Sequence, residues 1–280
     1  AELAAGMGVY GLETDIQISR DGELFLLHDD TFDRTTDIKT VFPDRESEPA
    51  GNLTLAEISQ LNAGKWFVEQ DPFHALSQGL VTPEQVKEYQ QQAVPVLAEW
   101  LDIVRTSHLA FIFDLKPPSE DHLYVDSFFE VSFDQIHQAG IDPQVWFLVD
   151  QQQLQTVRNL APEMKPAFGA DYQSPPAAGD LIAQGYQMVN VEYGIDRRWI
   201  QQYQDANLWV NLYTVDEPWQ FSRLWILGVD SITTSNAHGM AILDHPIFSL
   251  PYNLYTLLWV GVGLLGLGLI FGLNYSRINT

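Results

Sequence analysis

Two carboxylates stand two residues apart in the segment Glu13-Thr14-Asp15. On a β-strand, residues i and i+2 point to the same face, so both side chains would reach one site. A pair of hard oxygen ligands at this spacing suits a divalent cation such as Ca²⁺ or Mg²⁺. Taken alone, the pair has a commoner explanation, which is a set of acids that face solvent.

Three further polar side chains follow apolar runs in the same way. Asp114 and Lys116 come at the end of Leu109–Phe113, and His28 follows Leu24–Leu27. A buried salt bridge would explain Asp114 and Lys116, and a structural hydrogen bond would explain a lone histidine. Barrel enzymes, however, place their sites at the carboxyl ends of their strands. Three such strand ends together therefore favour a functional site.

The elements that must position these residues alternate between β-rich and helical patterns, which is typical of crossover units and a parallel sheet. The first two strands are joined by only four residues, so they must form a hairpin rather than a parallel crossover. The predicted strands are Leu12–Ser19, Leu24–His28, Leu109–Lys116, Val145–Val149, Lys165–Ala170, Met188–Tyr193, Leu208–Val215 and Ser231–Ser235. The predicted helices are Thr54–Leu61, Pro95–Arg105, Ser127–Gln138, Gln151–Leu160, Pro176–Gln184, Asp196–Asp205 and Pro218–Leu227. We expect an α/β fold, a TIM-barrel-like (β/α)8 domain over residues 1–236, with an insertion at about 70–92 near the mouth of the site.

Composition excludes several classes of function. The 14 Lys and Arg residues against 37 Asp and Glu give a net charge of −23, and such a charge repels nucleic acid. The sequence contains no Cys, which excludes disulfides, thiolate nucleophiles and Cys-bound zinc.

Residues 254–273 carry no charged side chain, and a helix of 20 residues rises about 30 Å, the thickness of a bilayer core. We therefore predict a transmembrane helix there, after a linker at 237–253 and before a short tail at 274–280. Its glycines could offer a thin face to another helix, although membrane helices also tolerate glycine without such packing. Arg277, the only charge in the tail, weakly favours an extracytoplasmic catalytic domain.

The order of motifs resembles that of the glycerophosphodiester phosphodiesterase family. The resemblance begins with Gly11-Leu-Glu-Thr-Asp15, His28-Asp-Asp30 and Asp33-Arg-Thr-Thr36. It continues through Leu61–Phe67, Phe113-Asp-Leu-Lys116, Leu212–Asp216 and Gly228–Thr234. It is strongest to the multi-pass membrane branch of that family, whose catalytic domain faces outside the cytoplasm.

The resemblance implies roles for individual residues. Glu13, Asp15 and Asp114 would bind a Ca²⁺ or Mg²⁺ ion, although many bacterial members have Glu at the position of Asp114. Lys116 would contact the phosphate, and His28 would act as one member of an acid/base pair, either as the acid or as the base. Further candidates for contact with the substrate are Trp66 and Tyr213, the latter in place of the family's usual Trp, with a role as buried barrel aromatics as an equal alternative. Arg34 could reach the phosphate, but the favoured alternative is that it holds the Asp33–Thr36 loop in place.

The family's opening His-Arg-Gly motif does not occur in this sequence, and it would belong just before Ala1. The resemblance therefore implies an N-terminally truncated domain that lacks the second histidine and is nearly inactive as it stands.

The implied activity is metal-dependent hydrolysis of glycerophosphodiesters to glycerol 3-phosphate and an alcohol. Two alternatives stay open at this point. The first is a non-catalytic membrane receptor or adaptor built on the same fold. The second is a phosphodiesterase that acts on lysophospholipids or glycolipid anchors, for which membrane attachment would position the enzyme.

Overall fold

The structure, a computed structural model, describes residues 1–247 and 252–278, except for the side chains of 252, 255 and 271–278. Eight strands form one sheet: β1 Gly11–Ile18, β2 Leu24–Leu26, β3 Ala110–Leu115, β4 Val145–Leu148, β5 Lys165–Ala170, β6 Met188–Glu192, β7 Trp209–Tyr213 and β8 Ser231–Ile232. Their order in the sheet is β2-β1-β3-β4-β5-β6-β7-β8. From β1 through β3 to β8, each strand pairs in parallel with the next.

The helices lie mainly in the connections between the strands, as crossover units require. They are α1 Glu2–Gly6, α2 Ile38–Val41, α3 Leu55–Ile58, α4 Gly64–Gln70, α5 Pro83–Tyr89, α6 Leu97–Ser107, α7 Phe128–Ala139, α8 Leu154–Leu160, α9 Ala178–Ala183, α10 Arg197–Asp205, α11 Pro218–Leu227, α12 Ala237–Ala241 and α13 Tyr252–Ile278. Short 3-10 turns lie at Pro43–Arg45, Ala50–Asn52 and Asp142–Gln144.

The predicted hairpin is confirmed, because β2 pairs with β1 in antiparallel register, Ile16 opposite Leu26 and Ile18 opposite Leu24. Its turn contains Gly22 with φ of +92°, a conformation that residues with a Cβ rarely adopt. A Cβ at this position would also lie 2.5 Å from Cζ of Tyr124. Both the positive φ and the close approach of Tyr124 explain why this turn position is a glycine.

Three separate groups of buried side chains support the fold, and the smallest consists of Ile112, Trp146, Ala167 and Met188. The barrel core fills the space between the sheet and the surrounding helices and includes Phe111, Phe113, Phe147 and Val210, each fully buried. The satellite core lies under the segment that follows β2. It consists of Phe25, Phe32, Ile38, Ala50, Leu53, Ile58, Leu61 and Val94. The chain between β2 and α6 therefore has its own hydrophobic support.

All eight predicted strands occur, within about two residues of the predicted ends except for the shorter β8. The seven predicted helices also occur, some of them shorter than predicted. His28 was expected to end a strand, and this is wrong: β2 ends at Leu26. The predicted insertion at 70–92 contains α5, which begins with a capping box between Thr82 and Gln85.

The predicted transmembrane segment 254–273 lies within α13, and part of it, at 255 and 271–273, falls outside the described side chains. Over the described residues, no helix has the length and apolar character that a membrane crossing needs. The predicted linker at 237–253 contains α12, and residues 248–251 of it lie outside the described part of the chain.

Candidate active site

Strands β1 and β3 bring the predicted charged residues together. Asp15 stands directly opposite Asp114 in the parallel register of the two strands. Because side chains alternate along a strand, Glu13 shares the face of Asp15, and Lys116 shares the face of Asp114. At the start of β1, a Cβ on Gly11 would lie 2.7 Å from the carbonyl oxygen of Ala110, so glycine permits this close pairing.

Lys116 joins the two aspartates. Its Nζ donates to Oδ2 of Asp114 at 2.7 Å and lies 3.2 Å from Oδ1 of Asp15. Burial acts to lower the pKa of Lys116, but the hydrogen bond to Asp114 and the charges of both aspartates raise it above its ordinary value. The ammonium group is therefore charged and held at the end of two strands, where an anion could reach it.

Glu13 is the most strongly perturbed acid of the cluster. Burial raises its pKa to about 7, and the negative charges of Asp15 and Asp114 add to this effect. Burial likewise raises the pKa of Asp15, against the opposing charge of Lys116. Three carboxylates thus share one half-buried space with a single lysine, an arrangement that favours an added positive charge.

The donor set can be compared with what a divalent cation needs. Glu13, Asp15 and Asp114 offer hard carboxylate oxygens, which Ca²⁺ and Mg²⁺ prefer. In the part of the chain that the structure describes, however, no group of three or more His, Asp or Glu side chains is arranged so that it could hold a metal ion. Both aspartates contact the ammonium group of Lys116 instead. The chemistry of the donors fits a hard cation, although the predicted ligands do not form a preformed shell.

His28 reaches the same space from the segment that follows β2. Its Nδ1 lies 2.9 Å from Oδ1 of Asp29, and its side chain is 73% exposed. Gln17 fixes this segment, since its Nε2 donates to the carbonyl oxygens of Leu27 and Asp29, at 2.8 Å each. A histidine so placed is able to exchange protons with a bound molecule.

These groups line one cavity of about 450 Å³ at the carboxyl ends of the strands. Six of the eight predicted site residues lie on its wall: Glu13, Asp15, His28, Asp114, Lys116 and Tyr213. Burial, followed by the nearby acids, raises the pKa of Tyr213, so its hydroxyl stays neutral and is able to donate a hydrogen bond. A cavity that joins carboxylates, an ammonium group, an imidazole and a phenol can hold an anionic ester and move protons.

The whole of this cavity is formed by residues that match the glycerophosphoryl diester phosphodiesterase family, the match running over residues 1–238. The chain belongs to this family. The expectation from the motifs is therefore confirmed, and the match covers most of the 280 residues.

Curated relatives in the family include mammalian proteins. Glycerophosphodiester phosphodiesterase domain-containing protein 5 of Mus musculus is 36% identical over 267 residues, which is 95% of this chain and 43% of that protein. A glycerophosphoinositol inositolphosphodiesterase of the same species is 32% identical over 260 residues, or 91% of this chain and 46% of that protein. The chain thus spans less than half the length of these relatives.

Solved structures of family members share the fold. A phosphodiesterase from Oleispira antarctica, determined in complex with its product sn-glycerol-3-phosphate, aligns with a TM-score of 0.65 and 20% identity. The alignment covers 86% of this chain and 88% of that protein. This likeness confirms the TIM-barrel-like fold expected from the sequence.

Two of the predicted site residues, Arg34 and Trp66, do not line the cavity. Arg34 donates from Nε to Oδ2 of Asp29 at 2.5 Å and from Nη2 to Oδ1 at 2.9 Å. Its guanidinium carbon lies 5.8 Å from the ring centre of Trp66. Both side chains therefore contact protein groups beside His28 rather than the space where a substrate would lie. The insertion at 70–92, expected at the mouth, does not line the cavity either.

Several polar residues of the cavity were not predicted. Asn190 lies on β6 and accepts from Nδ2 of Asn211 at 2.7 Å, and Nδ2 of Asn211 also donates to Oγ1 of Thr233 at 2.8 Å. Asp150 and Gln153 follow β4 and also line the cavity. A signal was available for Asn190, because a lone amide inside the apolar run Met188–Val191 indicates a polar interior position.

Proposed function

We propose that this chain carries the active site of a phosphodiesterase that hydrolyses glycerophosphodiesters to glycerol 3-phosphate and an alcohol. The observation that carries the proposal is the meeting of Glu13, Asp15, Asp114, Lys116 and His28 on one cavity. Family membership supports it, as does the position of the cavity at the carboxyl ends of the strands.

In the proposed reaction, the bond between phosphorus and the oxygen of the alcohol breaks. One water is consumed in the net reaction, and the alcohol leaves with a proton. Lys116 would bind a non-bridging phosphate oxygen as a point charge, held in direction by Asp15 and Asp114. His28 would transfer a proton to or from an oxygen at phosphorus, and Tyr213 would donate a hydrogen bond to the substrate.

Glu13, Asp15 and Asp114 are the residues that would hold a Ca²⁺ or Mg²⁺ ion. Such a cation, when bound, supplies positive charge that attracts a phosphate oxygen and offsets the charge that develops at phosphorus. Lys116, which contacts both aspartates, would add a second positive group beside the phosphate.

The proposal is tested with the full-length protein. Incubation with a soluble glycerophosphodiester and Mg²⁺ or Ca²⁺ should release glycerol 3-phosphate, and a chelator should stop the release. Product analysis with lysophospholipids in parallel would identify a preference for lipid substrates. Absence of hydrolysis with every one of these substrates, from a folded protein, would contradict the proposal and favour the receptor or adaptor alternative.

The predicted membrane attachment, extracytoplasmic location and near-inactivity of this segment alone stay predictions. Protease added to sealed cells that express the complete protein should digest the barrel if it lies outside the cytoplasm. An intact barrel together with loss of a tag placed after Thr280 would reverse the orientation.

A further inference from the structure

The imidazole of His28 is oriented by one neighbouring side chain. Its Nδ1 lies 2.9 Å from Oδ1 of Asp29, while most of the ring is open to solvent. His28 also lies beyond the end of β2, so the sheet does not fix its backbone directly. The direction of the ring thus depends on where the carboxylate of Asp29 is held.

Asp29 itself is held from two sides. The guanidinium of Arg34 binds both carboxylate oxygens, at 2.5 Å from Nε and 2.9 Å from Nη2. Gln17, buried on β1, binds the main-chain oxygen of Asp29 at 2.8 Å. Arg34 keeps the pKa of Asp29 below its ordinary value, so the carboxylate is ionised near neutral pH and can only accept hydrogen bonds.

An ionised carboxylate beside Nδ1 determines which ring nitrogen of His28 carries the proton. The proton must lie on Nδ1, because the carboxylate has none to donate. The other nitrogen, Nε2, is then left for a bound molecule. Bases in other enzymes are oriented by a third group in the same manner.

We propose that Asp29 is a positioning residue for His28, and that Arg34, with Trp66 packed beside its guanidinium, acts by holding Asp29 rather than by binding substrate. The inference rests on the proposed function, since it assigns a helper to the proton-transfer group of that reaction. It also gives a reason why Arg34 and Trp66 lie off the cavity wall.

The first test compares Asp29→Asn with Asp33→Asn in the complete protein. Asp33 is a matched control, because it lies on the same segment and binds Oγ1 of Thr31 and the side chain of Lys39. Asp29→Asn should lower kcat about 10- to 100-fold, the range found for hydrogen-bond partners of metal-binding histidines, with KM within about twofold. Asp33→Asn should leave kcat within about twofold. Equal rates for the two variants would overturn the inference.

The second test combines Asp29→Asn with His28→Ala. If Asp29 acts through His28, the double variant should be as slow as His28→Ala alone. A further loss as large as that in the wild-type background would show a structural role for Asp29 and contradict the inference. If His28→Ala itself keeps full turnover, the proposed function fails instead, whatever Asp29 does.

The third test concerns Arg34. Arg34→Gln should lower kcat about 10-fold and leave KM within about twofold, because its effect passes through Asp29 and His28. An arginine that binds substrate would behave differently, with a raised KM and a loss that persists in the His28→Ala background. That second pattern would return Arg34 to the substrate and overturn its assignment here.

Discussion

The candidate site is built from two regions that are supported in different ways. The strand cluster consists of Glu13 and Asp15 on β1, Asp114 on β3 and Lys116 directly after β3. The main chains of the two strands pair in register over the barrel core. His28 lies on a segment outside the sheet, above the satellite core. It is placed by side-chain hydrogen bonds from Gln17 and to Asp29.

This difference in structural support matches a division between two proposed tasks, charge stabilisation and proton transfer. Charge stabilisation requires fixed groups, because dipoles and charges that need not reorganise are the most effective. A proton-transfer group must meet an oxygen whose position changes during the reaction, and an exposed ring on a pinned segment suits that task. We therefore expect variants of the three carboxylates to lose cation binding and turnover together. Variants of Lys116 or of the His28 segment should lose turnover and keep the cation.

The largest effect is expected from Asp15→Asn. It removes one of three carboxylates from the proposed cation site and the partner of Lys116 at 3.2 Å. Turnover should fall below detection and cation binding should be lost, as measured by product release and by calorimetric titration. Turnover within tenfold of the wild type would contradict the role of the strand cluster.

A smaller loss is expected from Lys116→Met. The variant removes the positive charge that faces the proposed phosphate, which should lower kcat/KM about 10²-fold. Cation binding should persist, because the three carboxylates remain and no longer share their charge with the ammonium group. Lys65→Met, which changes an exposed lysine on α4, is the matched control and should leave both measurements unchanged. Loss of cation binding in Lys116→Met would contradict this division.

Gln17→Leu should act on the His28 segment alone. Two main-chain oxygens lose their donor, at a cost of about 1–3 kcal/mol in the free energy of unfolding. Turnover should fall about 10-fold while cation binding is kept. Gln60→Leu is the control, since Gln60 also donates from Nε2 to a main-chain oxygen but does so on an exposed helix end. Chemical denaturation and rate measurements should separate the two variants.

The smallest effect is expected from Glu57→Gln. Glu57 lies on α3, next to Ile58 of the satellite core. Hydrogen bonds from the main chain and side chain of Thr54 lower the pKa of Glu57 to about 2, and Arg45 lies 2.7 Å from it. Because the pKa is lower in the folded state, Glu57 contributes stability above about pH 4.5, and this contribution disappears as the pH falls towards 2. Glu57→Gln should cost about 1 kcal/mol at pH 7 and nothing at pH 2. An equal cost at both pH values would contradict the assignment.

Much of this fold follows from the sequence because its signals are local. Alternating strand and helix patterns predict the strands of the sheet, and the four-residue connection predicts the antiparallel β1–β2 hairpin. The pairing of Asp15 with Asp114 agrees with the expectation that polar residues at neighbouring strand ends meet. Each of these features depends on residues that are close in sequence or on a regular period of the side chains.

The remaining features depend on side chains that could contact any of several partners. Arg34 is able to reach a phosphate or a carboxylate, and only the folded segment shows that Asp29 receives it. Lys116 likewise could have pointed into the cavity alone, but it bridges two aspartates. Asp150 and Gln153 have no motif around them, so their place on the cavity wall follows only from the curvature of the sheet.

The central claim is that the strand cluster binds the cation while His28 moves the proton. The most direct test combines calorimetric titration with Ca²⁺ or Mg²⁺ and measurement of turnover on the same samples. The samples are the complete wild-type protein, His28→Ala, Glu13→Gln and Glu84→Gln, the last being a control at an exposed position. We predict that His28→Ala binds the cation as the wild type does but turns over about 10²- to 10⁴-fold more slowly. Glu13→Gln should lose both properties, and Glu84→Gln should lose neither. If His28→Ala loses the cation as completely as Glu13→Gln, the two regions do not have the separate roles assigned to them.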